Sequence, residues 1–220
     1  MSRIDPAEMR RLLKVYFIVG SANCIKNPEE VITEAIDGGI TLFQYREKGK
    51  GSLKGKEKLE LGRKLQKICQ INGIPFIVND DIDLALELGA DGVHIGQEDE
   101  DPNQVRDKIG NKILGVSVHN IEEAGKARAA GADYFGVGPI FPTRTKKDTR
   151  AVQGNTLIHE LRRTAFNIPI VGIGGICADN AELVIGAGAD GVSMITAISH
   201  ADNIKEAAAN IKERIVGRLP

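Results

Sequence analysis

The sequence predicts an α/β fold: a single (β/α)8 barrel of the TIM-barrel type over residues 1–220, with a short extra helix at the N-terminus. Eight short apolar runs recur along the chain, and segments with the spacing of amphipathic helices separate them. This alternation is typical of parallel strands joined by crossover helices. Eight strand-helix units close a barrel. The alternative, an open doubly wound sheet, needs fewer strands and usually a glycine-rich dinucleotide turn.

The predicted elements follow from those runs. Strands are expected at 15–19, 41–45, 76–78, 92–95, 113–116, 134–137, 170–173 and 191–195. Helices are expected at 29–36, 54–71, 82–88, 121–129, 157–165 and 180–185. The segment 6–13 is the extra helix, which we expect to cover the bottom of the barrel.

Three helix-to-strand junctions have nearly the same sequence. They read Leu-Gly-Ala-Asp-Gly at 88–92, Ala-Gly-Ala-Asp-Tyr at 130–134 and Ala-Gly-Ala-Asp-Gly at 187–191. The glycine suits a left-handed helix C-cap, and the aspartate suits the start of the next buried strand. The junctions therefore form a weak internal repeat of one βα unit.

Composition excludes several classes of partner. Lys and Arg total 29 against 30 Asp and Glu, so no net field draws the protein to nucleic acid or to an anionic membrane. Aromatic residues make up 4%, with no Trp, so the stacking platforms of single-strand binders are largely missing. We therefore expect small-molecule partners, with no nucleic acid and no membrane. The sequence leaves the oligomeric state open, a homo-oligomer included.

The cysteines and the N-terminal segment indicate a cytoplasmic location. Cys24, Cys69 and Cys177 form neither a C-x-x-C pair nor a zinc-ligand spacing, so reduced thiols are expected. The N-terminal segment has no uninterrupted apolar stretch that would serve as a signal peptide or a membrane span.

Polar residues at the ends of the strands are the candidate site, because barrel enzymes place their active sites there. In the second strand, a period of two puts Gln44, Arg46 and Lys48 on one face, away from Glu47. Clustered Arg and Lys suit a diphosphate. A solvated charge run is the alternative.

Carboxylates follow the next two strands. Asp80 follows the third strand and Asp99 follows the fourth, and both are expected to face the cations. This arrangement resembles a Mg2+ site that shares its ion with substrate phosphates. The alternative is that the acids are separate turn residues, and Asp81 in particular suits a helix N-cap.

The remaining strand ends suggest ligand contacts rather than a nucleophile. Ser117 could hydrogen-bond a ligand, but no Ser-His-Asp arrangement accompanies it. His119 is expected to be structural, since no carboxylate partner is evident, and His94 is expected to be a packed residue. The stretch 138–154 is expected to be a lid or a solvated loop, and the glycines at 172–175 suit phosphate binding.

Five motifs together resemble the thiamin phosphate synthase family. They are Q-Y-R-E-K at 44–48, V-N-D-D at 78–81, H-I-G-Q-E-D at 94–99, G-P-I-F-P-T-x-T-K at 138–146 and V-G-I-G-G-I at 171–176. The likeness covers nearly the whole chain. It implies a transferase that joins a hydroxymethylpyrimidine diphosphate to a thiazole phosphate, giving thiamin phosphate and pyrophosphate, without a redox cofactor.

The resemblance also assigns residues. It implies that the pyrimidine diphosphate binds Gln44, Arg46, Lys48, Asn79, Ser117 and Lys146, and that Mg2+ binds Asp80 and Asp99. It implies that the thiazole phosphate binds Thr143, Thr145, Gly175, Ile195 and Thr196, with Thr196 in place of an expected serine. Tyr45, Glu47 and Arg144 lie within the same motifs and are included as substrate contacts. Arg46, Lys48 and Lys146 are the expected catalytic cations, which stabilise the departing pyrophosphate.

Three alternatives remain at this point. A thiazole tautomerase would share the barrel and the thiazole phosphate site but would not use a pyrimidine diphosphate. An isomerase of indole or histidine biosynthesis would need a paired acid and base and no metal. A non-catalytic sensor of thiamin precursors would need neither the metal site nor the charged lid.

Overall fold

A computed structural model describes residues 3–143, 152–164 and 166–216 and shows a closed barrel of eight parallel strands. Each strand pairs with its neighbours in sequence, and the eighth pairs with the first. The strands are β1 Val15–Val19, β2 Leu42–Tyr45, β3 Phe76–Asn79, β4 Gly92–Ile95, β5 Ile113–Val118, β6 Tyr134–Val137, β7 Ile170–Ile173 and β8 Gly191–Met194. The predicted (β/α)8 fold is confirmed.

Helices alternate with the strands along the chain. They are α1 Pro6–Leu13, α2 Pro28–Asp37, α3 Gly55–Ile71, α4 Ile82–Leu88, α5 Pro102–Ile109, α6 Ile121–Ala129, α7 Thr156–Arg163, α8 Ala181–Gly186, α9 Thr196–Ser199 and α10 Ile204–Val216. A short 3-10 turn, Ser21–Asn23, follows β1. None of these helices, within the described residues, is long and apolar enough to cross a membrane.

The extra N-terminal helix is present where it was expected. Asp5 caps α1 by accepting a hydrogen bond from the N–H of Ala7 at 2.8 Å. The apolar face of the helix, Met9, Leu12 and Leu13, packs on the residues inside the barrel. The helix therefore closes the amino end of the barrel with apolar surface.

The core has two layers, which the alternation of side chains along each strand separates. One layer fills the barrel interior and includes Tyr16, Leu42, Ile77 and Tyr134. The other lies between the strands and the surrounding helices. The helices α5, α9 and α10 were not among the predicted segments, although Asp101 followed by a proline is a common helix start.

The internal repeat has a structural basis. Its glycines, Gly89, Gly131 and Gly188, all have positive φ (64°, 81° and 104°), as a chain that leaves a helix through a left-handed residue requires. Each following aspartate accepts a hydrogen bond from an N–H at the start of the preceding strand, from its first or second residue. These pairs are Asp91 with Phe76 (2.7 Å), Asp133 with Leu114 (2.9 Å) and Asp190 with Ile170 (2.7 Å). The aspartates thus satisfy strand N–H groups at the amino end of the barrel.

Candidate active site

A cavity of about 690 Å3 opens at the carboxyl ends of the strands. Its volume is in the range of small-molecule sites. Many of the residues that the sequence singled out line it: Arg46, Lys48, Asn79, Asp80, Asp99, Ser117, Thr143, Gly175, Ile195 and Thr196. The strand ends thus bring together side chains that are far apart in sequence.

Lys48 lies between two carboxylates on one wall of the cavity. Its Nζ is 2.5 Å from Asp80 Oδ2 and 3.8 Å from Asp99 Oδ1. Burial acts to lower the pKa of Lys48, but the hydrogen bond and charge of Asp80 outweigh that effect, so the pKa is raised. The ammonium group therefore stays charged.

Asp99 is held in a setting that disfavours its negative charge. Burial raises its pKa, and the neighbouring Asp80 raises it further, while the Gly96 N–H, 2.8 Å from Asp99 Oδ2, opposes the shift. Two carboxylates that repel each other in a cavity are an arrangement that a divalent cation would stabilise.

The backbone at Asp80 explains how this carboxylate reaches the cavity. Its φ is 62°, which among the described residues is the one positive φ outside glycine. Its N–H donates to the carbonyl oxygen of His94 at 2.9 Å, which holds the turn against β4. Such strained backbone is concentrated at functional sites. Asp81, by contrast, caps α4 by accepting from the Leu84 N–H at 3.0 Å, as its alternative interpretation expected.

Arg46 supplies a second cation to the same wall. The backbone N–H of Arg46 donates to the carbonyl oxygen of Val19 at 2.9 Å, which extends the β1–β2 pairing by one residue. A side chain at Gly20 would collide with the Arg46 carbonyl oxygen, so this close approach requires glycine. Arg46 is only 8% exposed and forms no salt bridge with the described residues. Its charge therefore remains available to an anion.

Three residues of the Q-Y-R-E-K motif lie outside the cavity lining. Gln44 lies inside the barrel and is 1% exposed. Tyr45 points outward and donates its hydroxyl hydrogen to the carbonyl oxygen of Lys58 at 2.9 Å. Glu47 accepts hydrogen bonds from the N–H groups of Ser21 and Leu53, both at 2.8 Å, and so ties the loops after β1 and β2 together.

Glycines that follow β7 form part of the opposite wall. Gly174 and Gly175 follow β7 with φ of 99° and 64°, and Ile195 and Thr196 follow β8. A side chain at Gly175 would come within 2.6 Å of the Pro142 carbonyl oxygen. Glycine at this position therefore allows the backbone to pass close to the next loop. Arg144, Thr145 and Lys146 lie outside the described residues.

Known proteins of one family resemble this chain over most of its length. A sequence model of the family described as thiamine monophosphate synthase matches residues 15–198. The thiamine-phosphate synthase of Bacillus thuringiensis subsp. konkukian is 59% identical over 215 residues, which are 98% of each chain. That of Bacillus velezensis is also 59% identical, over 98% of this chain and 96% of its own.

A solved structure gives the same result. Thiamine phosphate pyrophosphorylase from Pyrococcus furiosus superposes with a TM-score of 0.87 at 34% identity, covering 96% of this chain and all of its own. The chain belongs to the thiamine monophosphate synthase family. The resemblance drawn from the five motifs is therefore confirmed.

Within this thiamine monophosphate synthase barrel, two histidines have partners that the sequence did not reveal. His119 was expected to be structural because no carboxylate partner was evident, and that reason is wrong. Glu123, one helical turn later, lies 2.9 Å from its Nδ1 and also accepts from its backbone N–H at 2.8 Å. The i, i+4 spacing was the signal that could have found this pair.

His94 was expected to be a packed residue, but it also lines the cavity. Both ring nitrogens have partners: Nε2 is 2.9 Å from Ser117 Oγ, and Nδ1 is 2.9 Å from the Tyr134 hydroxyl. His94 therefore connects a residue of the cavity wall with the interior of the barrel.

Proposed function

We propose that the protein is a transferase that joins a hydroxymethylpyrimidine diphosphate to a thiazole phosphate, giving thiamin phosphate and pyrophosphate. The observation that carries this proposal is the cavity itself. Arg46 and Lys48 lie with two carboxylates on one wall, and the glycine-rich turn after β7 lies on the other. The named relatives, nearly equal in length to this chain, support the same reaction.

The reaction breaks the carbon–oxygen bond between the pyrimidine methylene and the diphosphate, and the electron pair leaves with pyrophosphate. The thiazole nitrogen then supplies the electron pair of the new carbon–nitrogen bond. We propose that the first step precedes the second, which makes the substitution dissociative. Such a path needs charge stabilisation and exclusion of water more than a protein nucleophile.

The cations on the cavity wall formed by Arg46 and Lys48 would supply this charge stabilisation. Arg46 and Lys48 would bind the diphosphate and stabilise the charge that develops on it as the bond breaks. Lys146 would add a third positive charge. Asn79 and Ser117 also line the cavity and would orient the pyrimidine diphosphate. On the opposite wall, Gly175 and Thr196 would hold the thiazole phosphate.

Asp80 and Asp99 fit a Mg2+ ion. Their carboxylates lie close enough for Asp80 to raise the pKa of Asp99, and both line the cavity beside the proposed diphosphate site. No group of three or more His, Cys, Asp or Glu suited to a metal occurs within the described residues. Mg2+ usually needs no more than one or two protein carboxylates, because water and phosphate oxygens complete its shell. When bound, the ion would neutralise charge on the leaving pyrophosphate.

The test is pyrophosphate release by the purified protein with Mg2+ and the pyrimidine diphosphate, with and without the thiazole phosphate, while thiamin phosphate is assayed. Equal amounts of both products support the proposal. Folded protein that binds thiazole phosphate but forms neither product would favour the tautomerase or the sensor. A cytoplasmic location and the absence of nucleic-acid and membrane partners stay predictions.

Paired variants test the role of Arg46. We expect Arg46→Met to lower kcat/KM for the pyrimidine diphosphate by about 100-fold, the typical loss of one group that stabilises transition-state charge. Arg63→Met removes the same charge from the exposed face of α3, where Arg63 pairs with Glu87. This control should keep nearly full activity. Equal activities in the two variants would contradict the assignment.

A further inference from the structure

A chain of hydrogen bonds leads from the cavity wall into the barrel interior. Ser117 Oγ lies 2.9 Å from His94 Nε2, and His94 Nδ1 lies 2.9 Å from the hydroxyl of Tyr134. The Tyr134 hydroxyl lies 2.8 Å from that of Tyr16, which accepts from Gln44 Nε2 at 2.6 Å. We call these five residues the polar relay. Since each comes from a different strand, β1, β2, β4, β5 or β6, the relay is a product of the closed barrel.

The packing around the polar relay leaves its members little freedom. The His94 ring stacks on the Tyr134 ring at 5.4 Å between centroids, and Tyr16 meets Tyr134 edge to face at 5.9 Å. A side chain at Gly115 would lie 2.5 Å from His94 Nδ1, and one at Gly136 would lie 3.0 Å from His94 Cε1. Glycine at these two positions therefore makes the space that the imidazole and the phenol occupy.

Burial determines which atoms carry hydrogen. It raises the pKa of both Tyr16 and Tyr134, so each hydroxyl keeps its single hydrogen at neutral pH. Tyr16 receives a hydrogen from Gln44, and its other partner among the described residues is Tyr134. Tyr16 therefore donates to Tyr134, since the reverse direction would leave a buried O–H without an acceptor, which is unfavourable.

The same reasoning continues along the polar relay to the cavity. Tyr134 accepts from Tyr16, so its own hydrogen goes to the remaining partner, His94 Nδ1. A neutral imidazole that accepts at Nδ1 carries its hydrogen on Nε2 and donates from there. Ser117 Oγ then accepts that hydrogen, which leaves the Ser117 hydroxyl hydrogen for the cavity that Ser117 lines.

We propose that His94 is a positioning residue whose Nε2–H orients Ser117, so that the Ser117 hydroxyl donates its hydrogen to an acceptor atom of the pyrimidine diphosphate. The polar relay fixes this direction from Gln44 outward. This assignment gives Gln44 a role without contact with the cavity. It rests on the proposed function for the identity of the ligand, whereas the direction of the relay does not depend on any ligand.

The first test is the tautomer of His94 in the intact protein. The 15N shifts of Nδ1 and Nε2 distinguish the two neutral forms, and the spectrum of a His94→Gln variant identifies the His94 signals. We expect the Nε2–H form at pH 8 without ligand. The Nδ1–H form, or a mixture of the two, would overturn the direction of the polar relay even in an active enzyme. This measurement stays informative if the proposed reaction is not detected.

The second test uses a matched pair of variants. The Gln side chain places an N–H donor near the position of Nε2, whereas the shorter Asn side chain reaches only the position of Nδ1. His94→Asn should therefore raise the KM for the pyrimidine diphosphate on the order of tenfold, the size of one lost hydrogen bond. His94→Gln should restore most of that loss. Equal KM values in two folded variants of equal Tm would overturn the proposal.

A double-variant cycle separates positioning from a merely structural effect. Ser117→Ala should raise the KM about as much as His94→Asn, on the order of tenfold. If His94 acts through Ser117, adding His94→Asn to Ser117→Ala should raise the KM no further. A double variant whose KM rises by the product of the two single effects would show that His94 acts independently of Ser117.

Discussion

Compared with the amino end of the barrel, the carboxyl end treats its carboxylates in the opposite way. At the amino end, Asp133 and Asp190 each accept a strand N–H and each pair with two arginines. At the carboxyl end, Asp80 and Asp99 lie near each other with Lys48 between them. The same residue type is thus fully compensated at one end and crowded with like charge at the other.

This difference distinguishes carboxylates that stabilise the fold from carboxylates of the candidate active site. A buried carboxylate with several donors keeps its charge and holds distant elements together. In the cavity, burial and the neighbouring Asp80 raise the pKa of Asp99, an arrangement that a cation would stabilise. Functional sites are where such perturbed groups are concentrated. The comparison therefore predicts that variants at the amino end lose stability, while variants at the carboxyl end lose activity.

The largest effect is expected for Asp133→Ala. It leaves the Leu114 N–H without its acceptor and removes the carboxylate that pairs with Arg106, whose side chain is only 16% exposed. We expect the free energy of unfolding to fall by about 3–5 kcal/mol, the usual cost of breaking a buried ion pair on one side. Urea unfolding followed by circular dichroism measures it, and Asp133→Asn, which keeps an acceptor oxygen, should lose less. If Asp133→Ala lowered the free energy of unfolding by less than Asp133→Asn, the contrast between the two ends of the barrel would be wrong.

The next effect is expected at the other end of the barrel. Asp99→Ala should lower the rate of pyrophosphate release by about 100-fold at limiting Mg2+, since it removes one of two proposed ligands. Its free energy of unfolding should change by less than about 1 kcal/mol, because the lost Gly96 hydrogen bond is offset by relief of the repulsion from Asp80.

The matched control for Asp99 is Asp83→Ala, which removes an exposed carboxylate from α4. It should change neither quantity. Near-normal release by Asp99→Ala at limiting Mg2+ would remove the metal assignment, and a large loss of stability would remove the contrast between the two ends.

The third prediction compares two aspartates of the internal repeat, Asp91 and Asp133. Asp91 accepts the Phe76 N–H at 2.7 Å, but no arginine pairs with it in residues 3–143, 152–164 and 166–216. Asp91→Ala should therefore cost about 1 kcal/mol, the value of one hydrogen bond, and clearly less than Asp133→Ala. Parallel urea titrations of the two variants provide the measurement. Equal losses would mean that the arginines at Asp133 add nothing.

The order of strands and helices could be predicted because each buried strand is a short apolar run. The repeat could be predicted because positive φ after a helix favours glycine. Helix α5 was missed because it is mostly polar, with Val105 and Ile109 its only buried residues among those described. Such a short helix gives little periodic signal.

The candidate site could be predicted only in part. A period of two assigns a face to Gln44 and Arg46, but it does not give depth along the barrel axis, so the burial of Gln44 beneath the cavity was not foreseen. The hydrogen bond between His94 and Tyr134 joins residues 40 positions apart. Contacts of this kind exist only once the barrel has closed, and no local pattern records them.

The smallest expected effect belongs to Asp81, which lies beside the crowded carboxylates but is compensated like those at the amino end. Burial acts to raise its pKa, but Lys58, at 2.7 Å, and the Leu84 N–H lower it below 3.8, the value of an unperturbed aspartate. Its ion pair therefore stabilises the fold above that value, and the contribution is lost as the pH falls through the lower folded pKa. Asp81→Asn keeps the helix cap, so it should cost about 0.5 kcal/mol at pH 7.

Unfolding free energies of the wild type and Asp81→Asn, measured from pH 7 to pH 3, check this prediction. The difference should stay constant down to about pH 5 and then shrink, because the wild type gains no benefit from a protonated carboxyl. When Lys58→Met is added to both proteins, most of the difference in their unfolding free energies at pH 7 should disappear, because the charge that pairs with Asp81 has been removed. A difference that grew toward acid pH would mean that the pKa of Asp81 is raised, like that of Asp99. Carboxylates with raised pKa would then occur at α4 as well as at the cavity wall.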